Sequence, residues 1–149
     1  MDVRDLTDRK VDLIEENIER SGYDNIEARV WDATVLHEPS KDAADLVIAD
    51  LPCSGLGVIG RKSDIKYRVQ PEDIKEIASL QRQILSTVCQ YVKPGGRLIY
   101  STCTLTAEEN EQNAKWFAKK SGFRMVADRT LIPGEHGTDG FYMALFERV

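Results

Sequence analysis

Apolar residues recur along this chain in two periods, and the switching between them predicts its elements. Met1 to Asp5 reads as the tail of a strand. Val11, Ile14 and Ile18 share one helical face, with Thr7 placed as the cap, Asp8 in the first turn and Ser21-Gly22 at the end. Ile26 to Trp31 alternates as a strand, Asp32 stands just past it, and residues 33 to 43 are polar loop. Residues 44 to 50, around the run Leu46-Val47-Ile48-Ala49, read as a buried strand. Residues 54 to 70 read as a long functional loop carrying Arg61, Lys62, Lys66 and Arg68.

Pro71 suits the first position of the next helix, with Glu72 and Asp73 in its first turn. Ile74, Ile77, Ile84, Val88 and Tyr91 form its apolar face to about Val92. Lys93-Pro94-Gly95-Gly96 reads as a turn, and Arg97 to Tyr100 as a second apolar strand. Thr106 and Glu109 have capping-box spacing, which predicts a helix running to about Lys120. Phe123 to Ala127 is a candidate strand, Leu131 to Gly140 a loop, and Phe141 to Glu147 a final strand. Strands alternating with helices imply an α/β domain with a mostly parallel sheet. No internal repeat, linker or low-complexity segment interrupts the chain.

Composition adds bounds to this pattern. A chain of 149 residues, 42% hydrophobic and 30% charged, suits one soluble domain with a core of its own. No apolar run reaches membrane-spanning length, no secretory signal opens the chain, and the three cysteines are odd in number. These features point to a reducing cytoplasm and no membrane partner. The net charge of -5 argues against strong autonomous binding to nucleic acid, which favours a basic surface. His37 and His136 have no partners at metal-ligand spacing, so no metal is assigned.

The candidate chemistry lies at two strand ends. Asp50-Leu51-Pro52-Cys53-Ser54-Gly55 follows one apolar strand, and Ser101-Thr102-Cys103 follows another. If the strands are neighbours, the two thiols meet at the carboxyl edge of the sheet, where open α/β folds bind ligands. Cys89, within Ser86-Thr87-Val88-Cys89 on a helix, reads instead as a small buried hydrophobe.

This pairing of motifs resembles the Sun/Fmu (NOL/NOP/Sun) family of RNA cytosine methyltransferases, over nearly the whole chain to Gly140-Phe141-Tyr142. The resemblance implies a Rossmann-like class I S-adenosylmethionine-dependent methyltransferase fold over residues 1 to 149. It also implies methylation of cytosine carbon-5 in RNA, with 16S rRNA as the expected substrate. Carbon-5 is a poor nucleophile until a thiolate adds to carbon-6, so covalent catalysis divides one hard step into easier ones. A free thiol has a pKa of about 8.5, so the site must favour the thiolate.

By resemblance Cys103 is the nucleophile, and Cys53 the second thiol that aids release of methylated RNA. Asp50 and Pro52 then lie by the methionine end of the cofactor, and Asp50 also reaches the base, where a carboxylic acid at ring nitrogen-3 would activate carbon-6. Asp5 takes the ribose hydroxyls and Asp32 the adenine amino group, although each is also a residue type common in turns. Asp2 and Asp8 are rivals to Asp5. Asp64-Ile65-Lys66-Tyr67 matches the family's Asp-Ile-Lys-Trp segment with Tyr for Trp. Arg61, Lys66 and Arg68 are placed to hold phosphates and Tyr67 to stack on a base. Asp139-Gly140-Phe141 resembles a late family segment near the active site.

The family's Gly-rich cofactor loop and first strand would precede Asp5, and Gly55-Leu56-Gly57 follows a different strand. A partial catalytic domain, inactive alone, is therefore expected. The unpaired edge of the strand at 44 to 50 would be covered by a second copy in a homo-oligomer, or by the strand near Val3. The alternatives are a folded fragment without catalysis and a DNA cytosine methyltransferase. The latter is disfavoured by Thr102-Cys103.

Overall fold

The computed structural model describes residues 1–119, 122–135 and 137–149. They form two compact units, residues 1–37 and residues 38–149.

The first unit is a β-α-β motif. Strand β1 (Asp2–Asp5) leads into helix α1 (Asp8–Ser21), and β2 (Glu27–Val30) pairs parallel to β1. Val11 is buried and Ile14 and Ile18 are half-buried, which matches the helical stripe in the sequence. Thr7 occupies the cap position without a side-chain cap bond, and Gly22 closes the helix at φ 72°, a left-handed conformation that suits glycine.

The second unit is built on four strands in the order β3-β4-β6-β5. These are β3 (Ala44–Asp50), β4 (Val92–Thr102), β5 (Phe123–Leu131) and β6 (Phe141–Arg148). Strands β3 and β4 run parallel, whereas β6 lies antiparallel between β4 and β5. Between β3 and β4 come a short helix α2 (Ile65–Arg68) and the long helix α3 (Pro71–Val88); α4 (Glu111–Ala118) follows β4. Alternation on β6 decides its faces: Tyr142, Ala144 and Phe146 are buried, while Met143 and Leu145 are half-exposed. This face pairs with Leu98 and Tyr100 of β4, and the core also holds Ile84, Leu85 and Val88 of α3 and Ala114 and Phe117 of α4. The Phe117 ring sits 4.8 Å from Phe146 and 5.0 Å from Phe123, centroid to centroid. Each such buried side chain contributes roughly 1.5–3 kcal/mol of transfer free energy.

Several expected boundaries move. Lys93-Pro94-Gly95-Gly96 is not a separate turn but a bulge inside β4, because the β3 register jumps from Ala44↔Val92 to Leu46↔Arg97. Helix α3 ends at Val88, and a single 3-10 turn, Cys89–Tyr91, carries the chain to β4. The expected loop at 54 to 70 contains a 3-10 turn, Leu56–Val58, as well as α2. Strand β5 extends past Ala127 to Leu131, with a register shift between Met125 and Ala127. Helix α4 starts at Glu111, and the expected end at Lys120 lies outside the described residues, as does His136. Strand β1 pairs with β2 in a two-stranded sheet. Among the described residues, no helix is long and apolar enough to cross a membrane.

Candidate active site

The parallel pairing of β3 and β4 places Asp50 opposite Ser101. The ladder continues one residue further, with the Leu51 N–H donating to the Ser101 carbonyl at 3.1 Å. Both strands therefore end level, and the chain beyond each carries its cysteine to the same place. Cys53 Sγ lies 3.2 Å from Cys103 Sγ, and neither is in a disulfide. Burial, then contact with Cys103, pushes the Cys53 thiol up to about 12, so Cys53 stays protonated near neutral pH. Asp50 is exposed, and its Oδ1 accepts a hydrogen bond from Ser101 Oγ at 3.0 Å. Pro52, also exposed, is tied through its carbonyl to the Gln81 amide at 2.9 Å.

A third segment joins this edge. The Gly57 N–H donates to the Cys103 carbonyl at 3.0 Å, and the Gly57 carbonyl accepts from the Gly140 N–H at 2.8 Å. A Cβ on Gly57 would stand 2.8 Å from the Cys103 oxygen, so this crossing of backbones admits no side chain. Asp139-Gly140-Phe141 is thereby held beside the Cys103 turn. Arg61 Nε reaches Asp139 Oδ2 at 3.0 Å and links the basic loop to the same segment.

The other cationic candidates lie on α2. Arg68 pairs with Asp64 at 2.5 Å, and Lys66 Nζ sits 4.8 Å from the centroid of Tyr67. Ile65 is buried and anchors this helix, while Tyr67 is 75% exposed with its ring open to solvent. Exposed ion pairs of this kind contribute little to stability.

Asp5 and Asp32 belong to the first unit. They follow the ends of the parallel strands β1 and β2, with Asp5 the last residue of β1. Asp5 Oδ1 accepts the Leu6 N–H at 2.7 Å and faces Lys10 Nζ at 3.4 Å. Asp32 Oδ1 accepts both the N–H and the hydroxyl of Thr34, at 2.8 and 2.7 Å. Those bonds hold the Asp32 carboxyl below the usual carboxylate range. The turn roles weighed from the sequence are thus present, and both side chains place carboxyl oxygens at strand ends. Of the rivals to Asp5, Asp2 is held by Arg4 and Arg29 and Asp8 lies in the first turn of α1. His37 stacks edge-on against Trp31. Among the described residues, no three His, Cys, Asp or Glu side chains cluster as metal ligands. Cys89 is half-buried, and its Sγ lies 3.4 Å from the Ser86 carbonyl.

Sequence reasoning missed the buried polar layer beneath the thiols. Glu109, Gln81, Asn110 and Asn113 are all buried and hydrogen-bonded. The Thr106–Glu109 spacing does bring the two side chains together, at 2.7 Å, but the carboxylate turns inward to Ser54 instead of capping α4. A signal for this layer was present. Gln81 interrupts the stripe Ile77, Ala78, Ile84, Leu85 and Val88, and a polar residue on a core-facing stripe needs buried partners.

The chain is similar to known proteins in sequence and in fold. The family model described as "16S rRNA methyltransferase RsmB/F" matches residues 3–147. The probable ribosomal RNA small subunit methyltransferase B of Bacillus subtilis is 35% identical over 93% of this chain. The solved protein PH0851 superposes with a TM-score of 0.95 at 31% identity over 99% of the chain. NSun6 from Pyrococcus horikoshii, solved with SFG, gives 0.83 at 26% identity over 99%. The chain spans 35%, 36% and 41% of the lengths of these three proteins.

Proposed function

The chain belongs to the 16S rRNA methyltransferase RsmB/F family, and from that premise we propose that it carries the reacting thiols of an enzyme methylating cytosine carbon-5 in 16S rRNA. Its fold is the Rossmann-like class I methyltransferase fold of its structural relatives. The observation that carries the reading is the juxtaposition of Cys53 and Cys103 at 3.2 Å, at the carboxyl edge of adjacent parallel strands.

Cys103 adds through sulfur to carbon-6 of the cytosine, and the electron pair moves to make carbon-5 nucleophilic. The attacking role goes to Cys103 by its Thr102-Cys103 motif, and a Cys53 thiol kept protonated by burial suits the other role. Asp50, exposed on the same edge, is the group assigned to hydrogen-bond ring nitrogen-3 of the base. After carbon-5 has taken a methyl group, a base removes the carbon-5 proton and the Cys103–carbon-6 bond breaks to restore the ring. Cys53 assists this release as the neighbouring S–H. Arg61, Lys66 and Arg68 hold RNA phosphates, and Tyr67 offers a face for stacking.

S-adenosylmethionine supplies the methyl group as an electrophilic sulfonium. The chemistry of the donor set fits it: Asp5 and Asp32 are carboxylate acceptors past parallel strand ends, suited to ribose hydroxyls and the adenine amino group. By resemblance Asp50 and Pro52 are assigned to the methionine end. Gly55-Leu56-Gly57 is not the loop that cradles the cofactor, because the Gly57 amide is committed to the Cys103 carbonyl.

The test is product analysis. Full-length protein, methyl-labelled S-adenosylmethionine and unmethylated 16S rRNA should yield 5-methylcytidine in the nuclease digest. Label recovered in any other nucleoside would overturn the assignment of carbon-5 chemistry.

A further inference from the structure

Two adjacent residues before α4 hold the two cysteine turns from beneath. Glu109 is 0% exposed and Asn110 1%. Glu109 Oε2 accepts the Ser54 N–H at 2.8 Å, and Oε1 accepts the Ser54 hydroxyl at 2.5 Å. Gln81 lies 3.3 Å from the same carboxylate while donating to the Pro52 carbonyl at 2.9 Å. Both neighbours of Cys53 are thus anchored, Ser54 directly and Pro52 through Gln81.

Asn110 does the same for Cys103. Its Oδ1 accepts the Thr102 hydroxyl at 2.5 Å, and its Nδ2 donates to the Thr104 carbonyl at 3.0 Å. The two brackets join where Thr104 Oγ1 meets Ser54 Oγ at 2.7 Å. Since Ser54 gives its proton to Glu109, Thr104 is the donor in that bond. Neither residue serves its own helix. Asn110 sits at the N-cap of α4 and makes no side-chain cap bond, and the Glu109 carboxylate faces the sheet. A fully buried carboxylate is costly unless several donors converge on it, and here the Ser54 N–H and hydroxyl from the thiol-bearing turn join Gln81 and Thr106.

We propose that Glu109 and Asn110 are positioning residues that hold Cys53 and Cys103 at reacting separation, each by gripping both chain neighbours of one thiol. The proposal rests on the reading of these cysteines as the reacting pair. Loss of either grip lets one turn relax away from the other, whereas loss of an interaction elsewhere on the same carboxylate lowers stability alone.

Capture of the paired thiols by phenylarsine oxide tests this without RNA or cofactor, since one trivalent arsenic condenses with two adjacent thiols and releases water. Wild-type protein should bind one equivalent across Cys53 and Cys103, located by mass spectrometry. Glu109→Gln keeps the side-chain size but places an amide where donors converge, and Asn110→Asp removes the donor to Thr104. Each should weaken capture about tenfold, the scale of one buried hydrogen bond. Ser54→Ala, a milder change, should lose part of that and covers the case in which another variant fails to fold. Thr106→Val deletes a donor to Glu109 outside both turns, and should lower the melting temperature with capture unchanged. Folded Glu109→Gln, Asn110→Asp or Ser54→Ala protein with wild-type capture would overturn the proposal, as would equal loss in Thr106→Val. Wild-type protein that captures the arsenical yet makes no 5-methylcytidine would instead sink the methylation reading.

Discussion

Cys53 Sγ and Cys103 Sγ stand 3.2 Å apart although 50 residues separate them in the chain. Their strands run side by side and end level, so each turn delivers its sulfur to one point. Burial keeps the Cys53 thiol protonated near neutral pH.

The distinct motifs around Cys53 and Cys103 predict different outcomes for the two thiols. In full-length protein, Cys103→Ala should abolish both methyl transfer and covalent RNA adducts. Cys53→Ala should let attack proceed, impair release and accumulate a protein–RNA species that survives denaturing electrophoresis. A denaturant-resistant adduct with Cys103→Ala and none with Cys53→Ala would reverse the roles.

Stability should fall in alkaline solution. The Cys53 thiol rises from 9.0 to about 12 on folding, and burial also pushes the Tyr100 and Tyr142 phenols upward. Between these two pH values the unfolded chain releases the Cys53 proton while the folded chain keeps it. The unfolded state then binds fewer protons, so stability decreases as pH rises, and the contribution is complete below pH 9. Thermal melts should be flat in this respect near neutrality and decline above that point. Cys53→Ser should decline less steeply; an identical slope would contradict the assignment.

The Gly57–Gly140 crossing should tolerate no added methyl. A Cβ on Gly140 would stand 2.7 Å from Gly57 Cα and 2.9 Å from Leu105 Cγ. Gly57→Ala and Gly140→Ala should each cost about 2 kcal/mol or more by overpacking. Gly60→Ala, where a Cβ meets nothing within 4 Å, should stay within about 0.5 kcal/mol of wild type. Denaturant midpoints decide this, and equal midpoints for Gly57→Ala and Gly60→Ala would refute it.

RNA binding by residues 1–149 alone should be weak. Arg61 and Arg68 already face Asp139 and Asp64, and the net charge is -5. If Arg61, Lys66 and Arg68 each neutralise one phosphate, affinity for a single strand should fall with a log–log salt slope of about -2. Fluorescence anisotropy across a salt series measures it. Sub-micromolar binding at physiological salt would show that other cations contribute.

The same chain should self-associate through β3. Among the described residues, β4 is its one hydrogen-bonded neighbour, and Ile48 on this strand is 65% exposed. An open apolar edge recruits another strand. Ile48→Lys should shift sedimentation toward monomer, whereas a wild-type chain that stays monomeric at high concentration would rule the association out.

The sequence by itself determined the elements and the ends that matter. Period 3.6 in Val11, Ile14 and Ile18 gives the helix, and the β-branched run before Asp50 gives its strand. That run does not give the expected burial, since Leu46 is 47% and Ile48 65% exposed and only Ala49 is buried. The two cysteine motifs were likewise legible, because an acid, a proline or a threonine beside a thiol at a strand end leaves a local trace. Tertiary structure alone decided what lies behind them. Thr106 and Glu109 have the spacing of a helix cap, yet the Ser54 amide and hydroxyl, 55 residues away, claim the carboxylate. The glycines at 95 and 96 have turn chemistry, yet pairing with β3 absorbs them as a bulge. In both cases a bond between segments distant in sequence outweighs a weak local preference. Such bonds exist only once β3 and β4 have paired and α3 and α4 have closed over them.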